Sequence, residues 1–380
     1  MLTYDADPFR PDEGGNHRGK RLMLPDGKAF TMRMPTYDKA SGTVTGYKTV
    51  DSTGAFLVGE LERLDLRLHE PLAAVTWGRD IDLREDVTIA NDVSSFTLST
   101  YAQAGGTGAD APTIAGGKAW VGKDTTQITG MAVDLAKVTH PLRAWATEVK
   151  YTILELEAAA LVGRPIDQQK FFGMQLKHQM DIDAQVYVGD PAFGDKGLLN
   201  ADTAPANSGQ VTNVSTAANG AAGSPLWTQK SPDEILADVN SLLNSTWENA
   251  GYAFPPDRLL LSPSNYSYIS TIRIGEAGQY SVLKYLLDNN LLTSSGTSNL
   301  KIFPCKWLVG AGVGGTLGTT GTVSRMAAYT KDPERVRYPM TLMQRTPIQY
   351  DGMYHKATYF CRLGVTEIVY PETVGYLDGT

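Results

Sequence analysis

The chain has 380 residues, 42% of them hydrophobic and 20% charged, with a net charge of −7 and a pI of about 5.3. That is ordinary globular composition, enough for one large domain or two to three smaller ones. Its acidic balance excludes a dedicated nucleic-acid binder, which is usually basic.

Residues 1–50 are rich in Gly, Pro, Asp and Lys and show no sustained period. They read as an extended arm with few regular elements, unable to bury enough of itself to be ordered alone. The polar opening MLTYDADPFRPDEGG lacks the basic-then-apolar order of a signal peptide, so none is expected. From Ala55 to Glu70 the spacing of Leu57, Leu61, Leu64 and Leu68 predicts a helix that Pro71 stops. SSFTLSTYA, from Ser94, and TTQITGMAVDLAKVTH, ending at His140, alternate like strands. They flank a loose, glycine-rich excursion. A loop that long inside a compact domain is improbable unless it is functional, so a hairpin that leaves its own domain to touch a neighbour is expected.

EVKYTILELEAAALVG reads as a helix with Val149, Ile153, Leu156 and Ala160 on one face. Gly163 and Pro165 predict a break at Gly163-Arg164-Pro165. A second helix follows, capped by Asp167, with a broad apolar face built from Phe171, Phe172, Met174, Leu176, Met180, Ile182 and Val186. It ends in DIDAQVYVGDPAFGDKGLLN (Asp181 to Asn200), which reads either as a metal or phosphate loop or as a structural corner. After a polar low-complexity stretch, SPDEILADVNSLLNSTWENAG carries a helix start with Ser231 as N-cap, Pro232 at the first position and Glu234 closing the capping box. PPDRLLLSPSNYSYIS predicts strand, turn and short helix; SVLKYLLDNN predicts helix; LKIFPCKWLVG predicts strand. From Met326 onward the chain reads mostly as strand, with KATYFCRLGVTEIVYP the longest. Helices and strands mix without a βαβ rhythm, which argues an α+β fold.

Candidate chemistry is sparse. Gly310, Gly312 and Gly315 spell G-x-G-x-x-G, with Asp332 twenty residues after Gly312, but the following TLGTTGTVSRM is a poor helix to hold a pyrophosphate. A nucleotide-dependent α/β enzyme using Gly310–Gly315 is a remote alternative. GGNHRGKR (Gly14 to Arg21) matches a P-loop only to Lys20, since Arg21 stands where Ser or Thr would hold magnesium. His17, His69, His140, His178 and His355 are scattered, and no H-E-x-x-H or G-x-S-x-G occurs. His178 reads as a partly buried packing residue. Asp181 and Asp183, like Glu155 and Glu157, are two apart on a helix and face different directions. Cys305 and Cys361 build neither a disulfide framework nor zinc spacing, and they point to a reducing compartment. No run approaches the roughly 18 apolar residues of a membrane span. No catalytic, cofactor-binding or metal site and no cofactor is therefore expected, and the chain reads as a non-enzyme.

ELEAAALVGRPIDQQKFFGMQLKHQMDIDAQVYVGDPAFGDKGLLN resembles the spine-helix region of tailed-bacteriophage major capsid proteins, the Hong Kong 97-type fold shared with encapsulins. Tyr187, Gly189 and Asp190 stand in its YxGD-like turn, and Gly197 to Asn200 in the element that follows. PPDRLLLSPSNY is similar to the family's axial-domain strand and turn. The resemblance implies an N-terminal arm (1–50), a first peripheral part (51–96), an extended β-hairpin loop (97–146), the spine helix (147–199), an axial domain (200–330) and return strands of the peripheral domain (331–380). It makes Asp181 to Asn200 a corner rather than a site. It further implies self-assembly into hexamers and pentamers of an icosahedral or prolate capsid around double-stranded DNA, with a portal protein, scaffold or decoration proteins as partners, no membrane, and assembly in the host bacterial cytoplasm. An encapsulin-like shell packaging a protein cargo is the alternative. The arm is too short and glycine-rich to be a fused scaffold. Lys118, Lys123 and Lys137 lie on the extended loop, but no partner Asn or catalytic Glu is marked, so crosslinking is not carried over.

Overall fold

The computed structural model describes residues 33–37, 44–49, 73–103, 123, 131–162, 166–203, 210–275, 280–290, 299–311 and 323–380. The chain divides into two compact units, Met1–Leu72 and Ala73–Thr380. In the first, strands β1 (Arg33–Tyr37) and β2 (Val44–Thr49) form an antiparallel hairpin whose register slips between Thr36 and Tyr37. The arm thus contains one regular element that its missing period hid. The helix predicted over 55–70 lies outside the described residues.

The second unit runs in chain order through α1 (Trp77–Asp80), β3 (Asp82–Arg84), β4 (Val93–Gln103), β5 (Met131–Pro141), β6 (Arg143–Thr152), α2 (Ile153–Val162), α3 (Ile166–Tyr187), β7 (Thr212–Ser215), α4 (Pro232–Asn249), β8 (Arg258–Leu261), α5 (Pro263–Thr271), α6 (Val282–Asn289), β9 (Lys301–Pro304), β10 (Arg325–Tyr329), β11 (Val336–Pro339), β12 (Gln344–Arg345), β13 (Gln349–Asp351), β14 (Tyr354–Leu363), β15 (Glu367–Ile368) and β16 (Val374–Asp378). The mixture is α+β, as expected.

One helix boundary corrects the sequence reading. Residues 148–152, predicted as the start of a helix, continue β6, which pairs antiparallel with β14 along all ten of its residues. Trp145, Thr147, Val149 and Tyr151 alternate at period two, and that pattern wins over the helical spacing of Val149 and Ile153. The helix starts where Thr152 and Glu155 cap each other: Glu155 N donates to Thr152 Oγ1 at 3.1 Å and Thr152 N to Glu155 Oε2 at 3.1 Å. One helix then ends at Val162 and the next begins at Ile166, so 149–187 is not one unbroken helix; the three residues between lie outside the described set.

A five-stranded sheet in the order β7-β16-β10-β8-β9 separates two hydrophobic cores. Because successive strand side chains point to opposite faces, Leu259, Leu261, Met326, Ala328 and Leu377 pack on one side against Ile235, Val239, Leu242 and Leu243 of α4, with Ile269 and Leu286. Leu260, Ala327, Tyr329, Val374 and Tyr376 pack on the other side against Ile182, Val186 and Tyr187 at the end of α3. The strand Val374–Asp378, expected among strands returning to the other lobe, is the second strand of this sheet. It lies so close to α4 that a Cβ on Gly375 would come 2.0 Å from Thr246 Oγ1. The α4 capping box is present as predicted, with Glu234 N to Ser231 Oγ at 3.4 Å and Ser231 N to Glu234 Oε2 at 2.7 Å.

Candidate functional site

The stretch Asp181 to Asn200 is built around the orphan carbonyls at the end of α3. A helix leaves its last four C=O groups without intrahelical partners. Here the chain turns at Gly189, whose φ of +76° suits glycine, and comes back over the helix end. Leu198 N donates to Val186 O at 2.8 Å, Leu199 N to Tyr187 O at 2.9 Å, and Asn200 Nδ2 to Val188 O at 2.9 Å. Asn200 Oδ1 in turn accepts from Gly197 N at 2.7 Å. The returning chain passes so near that a Cβ on Gly197 would lie 2.4 Å from Tyr187 C and from Val188 N. GLLN is therefore a C-terminal cap supplied by the chain itself. Gly allows the approach, the leucines fill the core, and Asn closes the hydrogen bonds.

The acidic residues that suggest a ligand loop are all engaged elsewhere. Asp183, fully buried, accepts from Thr76 N (2.9 Å), Trp77 N (3.1 Å) and Trp307 Nε1 (2.8 Å) and pairs with Lys306 at 2.9 Å. It thereby caps α1. Asp181 accepts from Trp145 Nε1 at 3.0 Å and pairs with Lys177. Asp190 caps its own turn through Ala192 N at 2.9 Å. Asp195 pairs with Arg143 at 2.9 Å, whose guanidinium stacks 3.8 Å from the Phe193 ring centroid. Tyr187 bonds Asp80 and Thr76, and burial pushes its pKa well above the ordinary tyrosine value.

Residues that sequence reasoning passed over fasten the corner to the sheet. Arg325 on β10, 1% exposed, reaches Asp378 at 2.7 and 2.9 Å, Asp202 at 3.0 Å twice, and Leu199 O at 2.8 Å. Burial alone would lower its pKa, but the bonds to Asp378 and Asp202 outweigh that and raise it. Tyr376 donates to Leu198 O. Nothing in SRMAAY marks Arg325 as buried; only the register of β10 with β16 places it beside Asp378.

The long hairpin behaves differently. β4 and β5 pair over eleven residues each, from Val93↔Pro141 to Gln103↔Met131. Their root is held by Glu367, fully buried, which accepts from Ser94 Oγ, Arg337 Nε (2.8 Å) and Arg84 (3.3 Å). Farther out, Tyr101, Val133 and Leu135 stand on one face and are 46%, 57% and 66% exposed. A second apolar surface lies at the β13–β14 turn, where Tyr350 is 72% exposed and Met353, Tyr354 and Leu154 are also open. Lys137 is exposed on β5, Lys123 is exposed, and Lys118 lies outside the described residues.

The remaining sequence candidates do not gather into a site. Gly310 follows a 3-10 turn, while Gly312 and Gly315, like residues 14–21, lie outside the described residues. The next described strand, β10, is antiparallel to β8, which is itself parallel to β9. That is not the parallel crossover a dinucleotide fingerprint requires. No group of three or more His, Cys, Asp or Glu among the described residues is arranged to hold a metal, and no described helix is long and apolar enough to cross a membrane.

The family model for the major capsid protein matches residues 116–380. The chain belongs to the major capsid protein family. No curated protein sequence matches significantly, but the fold has clear relatives. The capsid of Myoviridae phage XM1 aligns over 85% of this chain and 98% of its own at 16% identity, with a TM-score of 0.63. The capsid of a native GTA particle aligns over 87% and 99% at 11% identity, with a TM-score of 0.55, and that of an empty GTA particle over 87% and 99% at 10%, with a TM-score of 0.51. The major capsid protein is a structural shell protein, not an enzyme, and its fold is that of phage capsids. Such a protein works by association with further copies of itself.

Proposed function

We propose that this major capsid protein assembles into hexamers and pentamers of an icosahedral or prolate phage capsid that encloses double-stranded DNA, built in the host bacterial cytoplasm with a portal protein and with scaffold or decoration proteins as further partners. In this reading 1–50 is an arm, 51–96 and 147–199 with most of 331–380 form the peripheral domain, 97–146 is the extended loop, and 200–330 is the axial domain, to which we add Val374–Asp378. The observation that carries it is the β4–β5 hairpin. A two-stranded ribbon is marginal alone in water, yet this one is long and leaves Tyr101, Val133 and Leu135 open. A neighbouring copy is the natural cover. Closed symmetry repeats one modest contact in every subunit. The net charge of −7 suits containment, because a strongly basic wall would hold DNA by counterion release.

Replacing Gln103 to Thr129 with a short Gly-Ser turn tests this. Loop closure changes by only about 0.6 kcal/mol per halving of length, so the subunit should fold and melt cooperatively while sedimentation shows monomers or capsomers in place of shells. Complete shells from the shortened chain would overturn the reading. Nuclease-protected DNA in native particles separates a genome container from an encapsulin-like shell, which would hold protein instead.

A further inference from the structure

The seam between α3 and the β6–β14 pair contains a titratable group with an unfilled hydrogen-bonding position. His178 is 4% exposed, with its ring edge-on to Trp145 at a centroid distance of 4.7 Å. Its Nε2 lies 3.2 Å from Cys361 Sγ, while Nδ1 is buried without a partner. In either tautomer of the neutral ring Nε2 meets the thiol and Nδ1 is left without a partner. A second proton would add a charge and a donor with no acceptor, in apolar surroundings.

The groups around the ring do not offer that acceptor. On α3, Asp181 is the charge that acts on His178, but its carboxylate already holds Trp145 Nε1 and Lys177. From β14 the facing group is Cys361, whose thiol burial pushes up to about 11, and beyond it Tyr338 of β11 is raised as well, so both stay neutral. From β6 the facing group is the Trp145 indole, which does not titrate.

We propose that the His178–Cys361 contact is an acid-sensitive fastener, and that protonation of His178 loosens α3 from the β6–β14 sheet. Burial lowers the His178 pKa from its ordinary value. The unfolded chain therefore binds the proton more tightly than the folded one. The stabilisation is complete above about pH 6.5, the ordinary histidine value, and is lost as pH falls through the lower folded value.

The test is thiol labelling of the full-length protein with 4,4′-dithiodipyridine, read peptide by peptide and normalised to a free cysteine peptide. The window is about pH 7.5 to about pH 5, where histidine is the side chain whose ordinary pKa changes its charge. Cys305, equally buried, is the internal reference, since no hydrogen bond joins it to a histidine among the described residues. Cys361 should label on the order of tenfold faster at the acid end. Cys305 should not accelerate, and His178→Gln or His178→Met should abolish the pH response at Cys361. His178→Met fills the site without a buried polar group and serves if His178→Gln does not fold. Joint acceleration of both thiols, a closed Cys361 at acid pH, or a response that survives in the variants would each overturn the proposal.

Discussion

The corner at the end of α3 and the β4–β5 hairpin show two opposite ways of finishing a structure. At the corner, three helix-end carbonyls, four acidic side chains and a buried arginine all find partners within the chain. Along the hairpin the backbone pairs strand to strand, and beyond its root apolar side chains are left to water. An unmet polar group inside a protein costs about 1–3 kcal/mol, so the corner must be completed by the chain that makes it. Exposed apolar area is tolerated in a subunit and rewarded when a second copy covers it. The corner is satisfied by its own chain, while the hairpin leaves apolar surface that a second copy would cover under the proposed function.

The strongest way to break this contrast is at Gly197. A valine there would drive its Cβ into the backbone of Tyr187 and Val188, which cannot move without undoing the helix cap. The expected loss exceeds about 4 kcal/mol, in the range reserved for core disruption, and Gly197→Val should be insoluble or melt without a cooperative transition. A variant with a native melt would show that the corner yields, and that it is not the fixed joint described above.

Arg325→Ala comes next. It leaves Asp202 and Asp378 beside an emptied, buried site. Removing one partner of a buried ion pair costs about 3–5 kcal/mol. Urea unfolding at neutral pH should show that loss. Arg325→Met should lose less than Arg325→Ala, because it keeps packing against Tyr376, whose ring lies 4.6 Å from the guanidinium carbon. Equal losses in the two would mean that packing contributes nothing there. A loss below 1 kcal/mol, small on the scale of a buried pair, would mean that water reaches the pair.

Much of the corner was legible in DIDAQVYVGDPAFGDKGLLN, but only as an order of elements. The glycines announced turns, and the resemblance made the stretch a corner rather than a site. What closes the corner was not legible. Arg325 and Tyr376 meet Leu198 and Leu199 across more than 120 residues, through strand register that no local spacing encodes. The same limit explains residues 148–152. There a helical and a strand-like period overlap, and the ten-residue pairing with β14, set by distant sequence, decides. The α4 helix was read correctly from its first residues because its signal, Ser231 with Pro232 and Glu234, is entirely local. The hairpin was legible as two alternating strands, while which face remains open follows from its register.

The smallest effect on the subunit sharpens the comparison most. Val133→Ser with Leu135→Ser removes apolar surface from the open face of β5 and touches nothing described in the core. Surface changes of this kind shift stability by no more than about 0.5 kcal/mol, so chemical unfolding should barely distinguish the double variant from the parent. Assembly is a different matter. If a neighbouring copy covers this face, every subunit loses the burial of two side chains, worth about 1.5–3 kcal/mol each when complete, and a closed shell repeats the loss at every position. Light scattering under assembly conditions should then show the onset of shells moved to higher protein concentration, with the melt unchanged. A fall in subunit stability above 1 kcal/mol, twice the surface expectation, would show that the hairpin packs within its own chain. Unchanged assembly would move the contact to another surface, and the exposed turn at Tyr350 and Met353 is the one to test in its place.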